Sequence, residues 1–328
     1  MASPRVQVGG EPNGFVHQAS VYGSDEEFLA MALPFVEDGL GLGEPVLATT
    51  TSANIRLLSD ALGARAPLVN YIESIHFGPR PPERVAAFNR YWRQHVSTDS
   101  GRHVRILAEP IWTGRSEREV TAWKYMDSSV NAIFSATNVW MICPYDTRAV
   151  DPDIVDAARR THPELVMRDA VVASAAYTDP ALFHPDGDSG DLPPPRGRPA
   201  TLHFDVDQLP AVRDEVSSYA GRHGVPHARA VDFVFAVNEV ATNAIEHGAG
   251  HGTLRLWTEQ DELLCEVTDQ VTDTAGWRRL HHFAGYLPGH PIESRGRGLW
   301  LARQLCDLVE IRSDNGRTTV RMHLTMRP

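Results

Sequence analysis

The sequence is poor in the features that mark secreted or membrane proteins. It has only three cysteines, Cys143, Cys265 and Cys306, which lie far apart and show no metal-ligand spacing. Such a count favours a reducing cytosol over a disulfide framework. No run of about 18 apolar residues occurs, and residues 1–14 lack the apolar core of a signal peptide. We therefore expect a soluble, cytoplasmic protein that does not contact a membrane.

Positive charge is also scarce. The chain has 31 basic and 42 acidic residues, a formal net charge of −11. Proteins that bind nucleic acid usually present a basic surface, so direct nucleic-acid binding is not expected. The acidic excess fits solubility, or contact with a basic surface on a protein partner.

The N-terminal half lacks a glycine-rich phosphate loop. Short apolar runs alternate with amphipathic stretches from residue 14 to about 178, which predicts a parallel α/β sheet covered by helices on both faces. A helix is expected after Ser24, with a kink or a break at Pro34. The predicted strand 45–50 is followed by TSANI, without the glycines and lysine of a P-loop.

Eight side chains of this half are candidates for facing a ligand, because ligands of open α/β sheets bind where strand ends meet. A structural role stays open for each of them. The aromatic residues fit a core or its rim, the aspartate fits a strand-end cap, and the cysteine fits a small buried hydrophobe. The candidates are His17, Glu109, Trp112, Tyr125, Cys143, Tyr145, Asp146 and His162.

Residues 179–200, DPALFHPDGDSGDLPPPRGRPA, are rich in proline, glycine and aspartate. This composition predicts a linker, partly extended where three prolines follow one another. It separates a first domain, residues 14–178, from a second, residues 201–328.

The second domain centres on residues 232–248, DFVFAVNEVATNAIEHG. Glu239, Asn243 and His247 are four residues apart, which places them on one stripe of a predicted helix. The other sides of this helix are apolar and suited to packing inward. A polar stripe on a buried helix costs stability, which indicates a function. The alternative is a partly exposed helix whose stripe simply faces water.

Three further motifs follow in order. Asp269 ends a predicted strand, Gly296 and Gly298 open a predicted helix, and Thr319 lies on the closing strand. Mixed strands beneath a layer of helices predict a two-layer α+β sandwich.

This order of motifs resembles the GHKL ATPase fold, and within it the anti-sigma-factor serine kinases of bacterial partner-switching systems. The resemblance covers about residues 200–328. It implies that Asn243 ligates Mg²⁺ through its amide oxygen and that Glu239 orients or deprotonates the attacking hydroxyl of a partner's Ser or Thr. It places His247 near the phosphates or in a structural hydrogen bond. Asp269 would accept the adenine amino group, and Thr319 would hold a water beside it.

The resemblance assigns the phosphates of ATP to the second glycine motif. Gly296 and Gly298 would let the backbone approach the phosphates at a helix N-terminus. Arg295 and Arg297 would reach phosphate or remain solvated. The stretch between residues 277 and 295 has the position of a lid.

The first glycine motif departs from the family pattern. The family has Asp-x-Gly-x-Gly, whereas Val271 and Asp273 stand here where glycines are expected. A branched valine does not readily take a positive φ, and Asp273 adds negative charge near a triphosphate. Gly276 is expected to compensate in part.

The first domain has a resemblance of its own. The segment LPFVEDGLGLGEPVLATTT, followed by AEPIW, CPYD and THPEL, resembles the MEDS sensory domain of bacterial regulators. That family has a P-loop-like α/β fold without a nucleotide site, and the resemblance implies that this domain binds a small molecule.

Together the resemblances imply an anti-sigma factor that uses ATP and Mg²⁺. It would bind an alternative sigma factor, phosphorylate an anti-sigma-factor antagonist, respond to the N-terminal sensor, and pair as a homodimer through the ATPase-like domain. A non-catalytic regulator with a degenerate nucleotide site is the alternative. A sensor histidine kinase is disfavoured, because the linker lies where a helix with a phosphoacceptor histidine would be needed.

Overall fold

The computed structural model describes residues 14–96, 102–167, 170–185, 192–270, 282–288, 297–314 and 316–326. The chain divides into two compact units, residues 1–188 and residues 189–328. None of the helices in these described ranges combines the length and the apolar composition needed to cross a lipid bilayer.

The N-terminal unit is built on a seven-stranded sheet. Its strands are β1 (Val16–Tyr22), β2 (Val46–Thr50), β3 (Asn70–Glu73), β4 (Val104–Ala108), β5 (Val139–Asp146), β6 (Glu164–Met167) and β7 (Ala170–Ala173). They lie in the order β3-β2-β4-β5-β1-β6-β7. Neighbours from β3 to β6 are parallel, and β7 is antiparallel to β6. The predicted parallel sheet is therefore confirmed. The sequence did not predict β6 and β7, four residues each and too short for a clear pattern.

Five helices cover this sheet: α1 (Asp25–Gly41), α2 (Ser52–Leu62), α3 (Pro81–His95), α4 (Glu117–Ile133) and α5 (Pro152–Thr161). Phe28 and Val36 of α1 and Leu58 of α2 pack against Val46 and Leu107 of the sheet. The other face of the sheet, which carries Met141 and Cys143, meets α3 and α4.

Of the kink or break expected at Pro34, the break does not occur, because α1 continues through this residue to Gly41. Ser24 caps the start of this helix, and its hydroxyl accepts a hydrogen bond from the Glu27 N–H. Buried residues lie on both sides of the proline, among them Phe28 and Phe35. Their packing offsets the roughly 3 kcal/mol that a proline costs inside a helix.

Part of the segment 179–200 packs within the N-terminal unit. Phe183 is fully buried, with its ring edge-on to that of Tyr125 and beneath the guanidinium of Arg160. Arg160 also donates hydrogen bonds to the carbonyls of His184 and Pro185. The sequence did not predict the burial of Phe183, because one aromatic residue in a segment rich in proline and glycine does not form a recognisable pattern.

The C-terminal unit is a two-layer α+β sandwich. Its elements are β8 (Ala200–Asp205), α6 (Leu209–Arg222), α7 (His227–His247), β9 (His251–Glu259), β10 (Glu262–Gln270), α8 (Gly298–Leu305), β11 (Leu308–Asp314) and β12 (Arg317–Thr325). The sheet order is β11-β12-β10-β9-β8, and all neighbours are antiparallel. The layers are as predicted, but the expectation of mixed strands is wrong. Two helices, α6 and α7, connect β8 to β9 and return the chain in the opposite direction.

One face of this sheet forms the core with the helices. Alternate residues of β10, Leu263, Cys265 and Val267, belong to the same buried cluster as Phe233 and Val240 of α7. The intervening residues lie on the opposite face, since successive side chains of a strand alternate.

Candidate functional site

The polar stripe of α7 meets the first residue of α8. A Cβ atom placed on Gly298 would lie 2.8 Å from Nδ2 of Asn243 and 3.3 Å from Oε2 of Glu239. Within the described ranges, neither of these two side chains forms a hydrogen bond or an ion pair with another protein group. An amide and a carboxylate, both half-buried, thus converge on the N-terminus of a helix. The backbone N–H groups there have no partner within the helix.

The second part of the site lies at the C-terminal end of α7. A Cβ atom on Gly248 would lie 2.2 Å from Oδ2 of Asp269, so this carboxylate fits against the helix end only because residue 248 is glycine. The Thr318 N–H donates to Oδ1 of Asp269 at 3.2 Å. Burial raises the pKa of Asp269, and the hydrogen bonds from Thr318 oppose that rise.

The prediction for Thr319 is wrong by one residue. In the antiparallel register Thr318 lies opposite Asp269, and Thr319 lies opposite Thr268. Opposed residues share a face of the sheet and consecutive residues do not. The two hydroxyl oxygens of Thr268 and Thr319 are 3.3 Å apart on the face away from α7. Thr318 takes the position beside Asp269 that the sequence analysis assigned to Thr319.

The remaining predicted residues divide into described and undescribed positions. His247 is the last residue of α7 and is exposed, and Arg297 is the exposed residue that precedes α8. Gly276, Arg295 and Gly296 lie outside the described residues, as do Val271 and Asp273 of the departing glycine motif. Their predicted roles stay predictions.

Residues 282–288, part of the stretch with the predicted position of a lid, pack against α8. The buried Arg303 of α8 donates hydrogen bonds to the carbonyls of His282 and Ala284. Its guanidinium lies 4.3 Å from the ring centroid of Tyr286. Gly285, with φ +79°, approaches the backbone of Leu299 so closely that a Cβ atom would lie 2.8 Å away.

Sequence reasoning missed two residues of this site, Gly248 and Thr318. Gly248 had a signal, since it directly follows the polar stripe and ends α7. Thr318 had none, because a pair of threonines on one strand does not reveal which of them faces the helices.

The donor set is suited to a magnesium nucleotide. Mg²⁺ prefers hard oxygen ligands, and the amide oxygen of Asn243 is one. The start of α8 offers backbone N–H groups to an anion, and the glycine at residue 298 leaves room beside Asn243. Gly248 and Asp269 lie at the far end of α7, nine residues from Glu239, which is about 14 Å at 1.5 Å per residue. One elongated ligand could therefore contact both parts of the site.

Comparisons with known proteins agree with this geometry. Residues 202–324 match the family described as histidine kinase-like ATPase domain. The serine-protein kinase RsbW of Bacillus velezensis is 30% identical over 115 residues, which span 33% of this chain and 72% of that protein. The serine-protein kinase RsbW of Halalkalibacterium halodurans is 30% identical over 129 residues, 36% of this chain and 80% of that protein.

The C-terminal unit belongs to the RsbW serine-protein kinase family. Residues 16–163 of the N-terminal unit match the family described as MEDS, the methanogen/methylotroph DcmR sensory domain. A crystal structure of the RsbU and RsbW domains of a Mycobacterium tuberculosis protein is 20% identical and covers 39% of this chain and 33% of that one. Its TM-score of 0.29 is too low to add to the assignment.

The MEDS unit of this RsbW relative brings together four of its eight predicted residues. His17 of β1, Cys143 and Tyr145 of β5, and His162 after α5 are all buried. Nε2 of His17 is 3.5 Å from Sγ of Cys143, and the rings of His17 and His162 have centroids 3.9 Å apart. Burial lowers the pKa of both histidines and raises those of Cys143 and Tyr145.

The other four predicted residues make structural contacts, and one of them, Trp112, packs on Tyr145 of the first group. Glu109 accepts hydrogen bonds from Tyr22, Thr50 and Asn54. Asp146 pairs with Arg148 at the end of β5. The other two are aromatic and pack in the interior, Trp112 on Trp123 and Tyr145, and Tyr125 on Phe183.

Sequence reasoning missed Asp127 of α4. Its carboxylate oxygen Oδ2 accepts hydrogen bonds of 2.7 Å from Tyr145 and from Thr161. The residue lies on an amphipathic helix, where an aspartate is usually exposed, so no sequence pattern indicated its burial.

Proposed function

We propose that this protein is an anti-sigma factor and a Mg-ATP-dependent serine/threonine kinase. In this proposal it binds an alternative sigma factor and phosphorylates an anti-sigma-factor antagonist. The MEDS unit regulates both activities through a small-molecule ligand, and two copies of the kinase domain, residues 201–328, pair as a homodimer. The proposal rests on one observation, that the side chains of Glu239 and Asn243 lie close to Gly298 at the start of α8.

Three residues of the chain have separate roles in the proposed transfer. Asn243 holds Mg²⁺ through its amide oxygen, and the metal supplies charge neutralisation for the phosphates. Gly298 lets the backbone N–H groups of α8 approach the phosphates. Glu239 orients the hydroxyl of the antagonist's serine or threonine and accepts its proton.

Asp269 and Thr318 form the proposed base-binding end. The carboxylate of Asp269 accepts a hydrogen bond from the amino group of adenine, and the Thr318 N–H holds that carboxylate in place. Gly248 allows the close approach of Asp269 to α7. Adenine is thus preferred over guanine, because guanine carries a carbonyl at the corresponding position and a carboxylate cannot donate to it.

The first experiment is a calorimetric titration of the full-length chain with Mg-ATP, beside the Asn243→Ala variant. The wild type is expected to bind one nucleotide per chain. The variant is expected to bind at least tenfold more weakly, because the metal loses its protein ligand. Equal affinity of the two proteins would remove Asn243 from the metal site.

The Glu239→Gln variant separates catalysis from binding. Removing a general base typically lowers the rate by about 10²- to 10⁴-fold, whereas the glutamine keeps the size of the side chain. The measurement is transfer of label from γ-labelled ATP to purified anti-sigma-factor antagonists of the host. Unchanged transfer would show that Glu239 is not the base.

The glycine motif after Asp269 favours one second candidate. Val271 and Asp273 replace the glycines of the family pattern, which fits a regulator that sequesters its partner without binding ATP. Absence of binding by the wild-type chain in the same titration would support this candidate and end the kinase proposal.

A further inference from the structure

A buried cluster of four metal-binding residue types lies between one face of the N-terminal sheet and its helices. The residues are His17, Asp127, Cys143 and His162, all buried, and each offers one ligand atom within 4.8 Å of the others. They come from β1, α4, β5 and the end of α5. Residues so far apart in sequence carry no metal-ligand spacing, so only the fold reveals the cluster.

The spacing of the pair His17 and Cys143 already suits a bound metal. Nε2 of His17 is 3.5 Å from Sγ of Cys143. Tetrahedral zinc, with bonds of about 2.0–2.1 Å to nitrogen and about 2.3 Å to sulfur, places these two atoms about 3.5 Å apart. Since all the ligand atoms lie within 4.8 Å of one another, the widest pair would have to approach by at most roughly 1.5 Å to complete such a site.

Both histidines have an acceptor oxygen beside Nδ1. Nδ1 of His17 lies 3.0 Å from the amide oxygen of Asn131, and Nδ1 of His162 lies 2.8 Å from the carbonyl oxygen of Ala158. Because these oxygens only accept, Nδ1 donates in each case and Nε2 keeps its lone pair. A ligating histidine is typically fixed in this way by a partner on its other nitrogen.

One of the two imidazoles has a ring nitrogen without a protein partner. Nε2 of His162 is buried and forms no hydrogen bond in the described structure. Leaving a buried polar atom unpaired costs free energy, so we expect a bound group to pair with this nitrogen.

The charge of Asp127 is not neutralised by a direct ion pair with Lys or Arg in the described ranges, although Nδ1 of His162 lies 3.7 Å from its carboxylate. Tyr145 and Thr161 donate hydrogen bonds to this carboxylate. The buried Arg84 donates instead to the backbone carbonyls of Ser74, Phe77 and Glu109. A divalent cation bound by one carboxylate, one thiolate and two neutral imidazoles would leave the buried site without net charge.

We propose that His17, Asp127, Cys143 and His162 bind one zinc-class divalent transition metal inside the MEDS unit. Imidazole, thiolate and carboxylate in fourfold coordination suit Zn²⁺ and its spectroscopic substitute Co²⁺. Binding releases the thiol proton of Cys143 to solvent as the sulfur–metal bond forms. Asn131, Tyr145 and Thr161 act as positioning residues that orient the ligands.

The test uses the full-length chain, purified without a metal-binding tag from zinc-supplemented medium. We expect about one zinc per chain by elemental analysis. Replacing the zinc with Co²⁺ is expected to produce the thiolate-to-cobalt absorption band and the intense visible bands of tetrahedral cobalt. Less than a tenth of a metal per chain, without a cobalt spectrum after reconstitution, overturns the proposal.

Substitutions of the ligand residues test whether the metal binds at this cluster. Cys143→Ser is expected to lose the thiolate band, and His162→Gln to lower metal affinity at least tenfold. Asn131→Ala, which removes only a positioning contact, is expected to lower it about 10- to 100-fold. Cys265→Ser is the matched control, because it removes another fully buried thiol outside the cluster. Retention of metal and of the thiolate band by Cys143→Ser overturns the proposal. The wild-type spectrum decides the case if that variant fails to fold.

Discussion

Gly298 is the site residue for which the sequence motif and the structural contacts agree most clearly. Its missing side chain lets the start of α8 approach Asn243 and Glu239, two polar groups that no protein partner in the described ranges satisfies. The sequence already indicated this glycine because it opens a helix after Gly296. The structure identifies the atoms of Asn243 and Glu239 that a side chain at residue 298 would displace.

Gly298→Ala is therefore expected to weaken Mg-ATP binding at least tenfold. The new methyl group would lie 2.8 Å from Nδ2 of Asn243, so the amide would have to move away from its position. Calorimetric titration of the full-length chain measures the effect.

Gly221→Ala is the control for this substitution. A Cβ atom at this helical glycine of α6 would meet nothing within 4 Å, and alanine favours a helix by up to about 1 kcal/mol over glycine. We expect unchanged nucleotide affinity. If Gly298→Ala bound Mg-ATP as well as Gly221→Ala does, the close approach would have no part in binding.

His323 of β12 is a second residue for which the structure predicts a measurable effect, here on the pH dependence of stability. It is fully buried, with Nδ1 3.2 Å from Glu262 and Nε2 2.9 Å from Glu310. Burial alone would lower its pKa, but the hydrogen bonds and charges of the two glutamates outweigh burial and raise it above the usual 6.5. The same contact lowers the pKa of Glu310 despite its burial.

The protonated form of His323 thus stabilises the folded state. Because its pKa is higher in the folded than in the unfolded chain, this stabilisation is complete below about pH 6.5 and is lost as the pH rises through the folded pKa. We predict that His323→Gln destabilises the C-terminal unit more at pH 6 than at pH 8. Urea unfolding of both proteins at both pH values measures the difference. An equal loss at the two pH values would mean that His323 is neutral when folded.

At the scale of the element, α7 combines a core helix with a binding surface. Phe233 is fully buried in the cluster that joins the helices to the sheet. Phe235, two residues along and about 200° round the helix, is 48% exposed. The helix can therefore carry an unsatisfied polar stripe because its apolar face supplies the stability.

This pair of phenylalanines yields a matched prediction. Phe233→Ala is expected to destabilise the C-terminal unit by about 3–5 kcal/mol, the usual cost of deleting a buried phenylalanine. Phe235→Ala is expected to cost less than about 1 kcal/mol, as at most exposed positions. Urea unfolding of the two variants gives both values. Similar losses would show that the exposed side of α7 is covered in solution.

The elements were largely predictable from the sequence, but their register was not. The polar stripe, the strand ending at Asp269 and the helix opening at Gly298 all follow from local patterns. The family resemblance assigns Thr319 to the site, and the strand pattern alone does not distinguish it from Thr318. A shift of one residue moves a side chain to the opposite face, and only pairing with β10 determines which threonine lies beside Asp269.

At the scale of the whole molecule, ligand binding and stability are linked. A ligand that binds only the folded state raises the free energy of unfolding by about 2.7 kcal/mol at 100 times its Kd. We predict a rise of that size for the C-terminal unit of the full-length chain in saturating Mg-ATP. Thermal or urea unfolding with and without nucleotide measures it, and Asn243→Ala is expected to abolish it. No change in the wild type would indicate a degenerate nucleotide site.

The sequence by itself determined the classes of the two units and the residues of the polar stripe. Helical periodicity, strand alternation and glycine placement are local properties that a chain displays before it folds. Only the tertiary structure decided which distant residues share a site. It placed Gly248 against Asp269, buried Phe183 in the N-terminal unit, and gathered His17, Asp127, Cys143 and His162 from four separate elements. These contacts depend on strand order and helix packing, which no local pattern specifies.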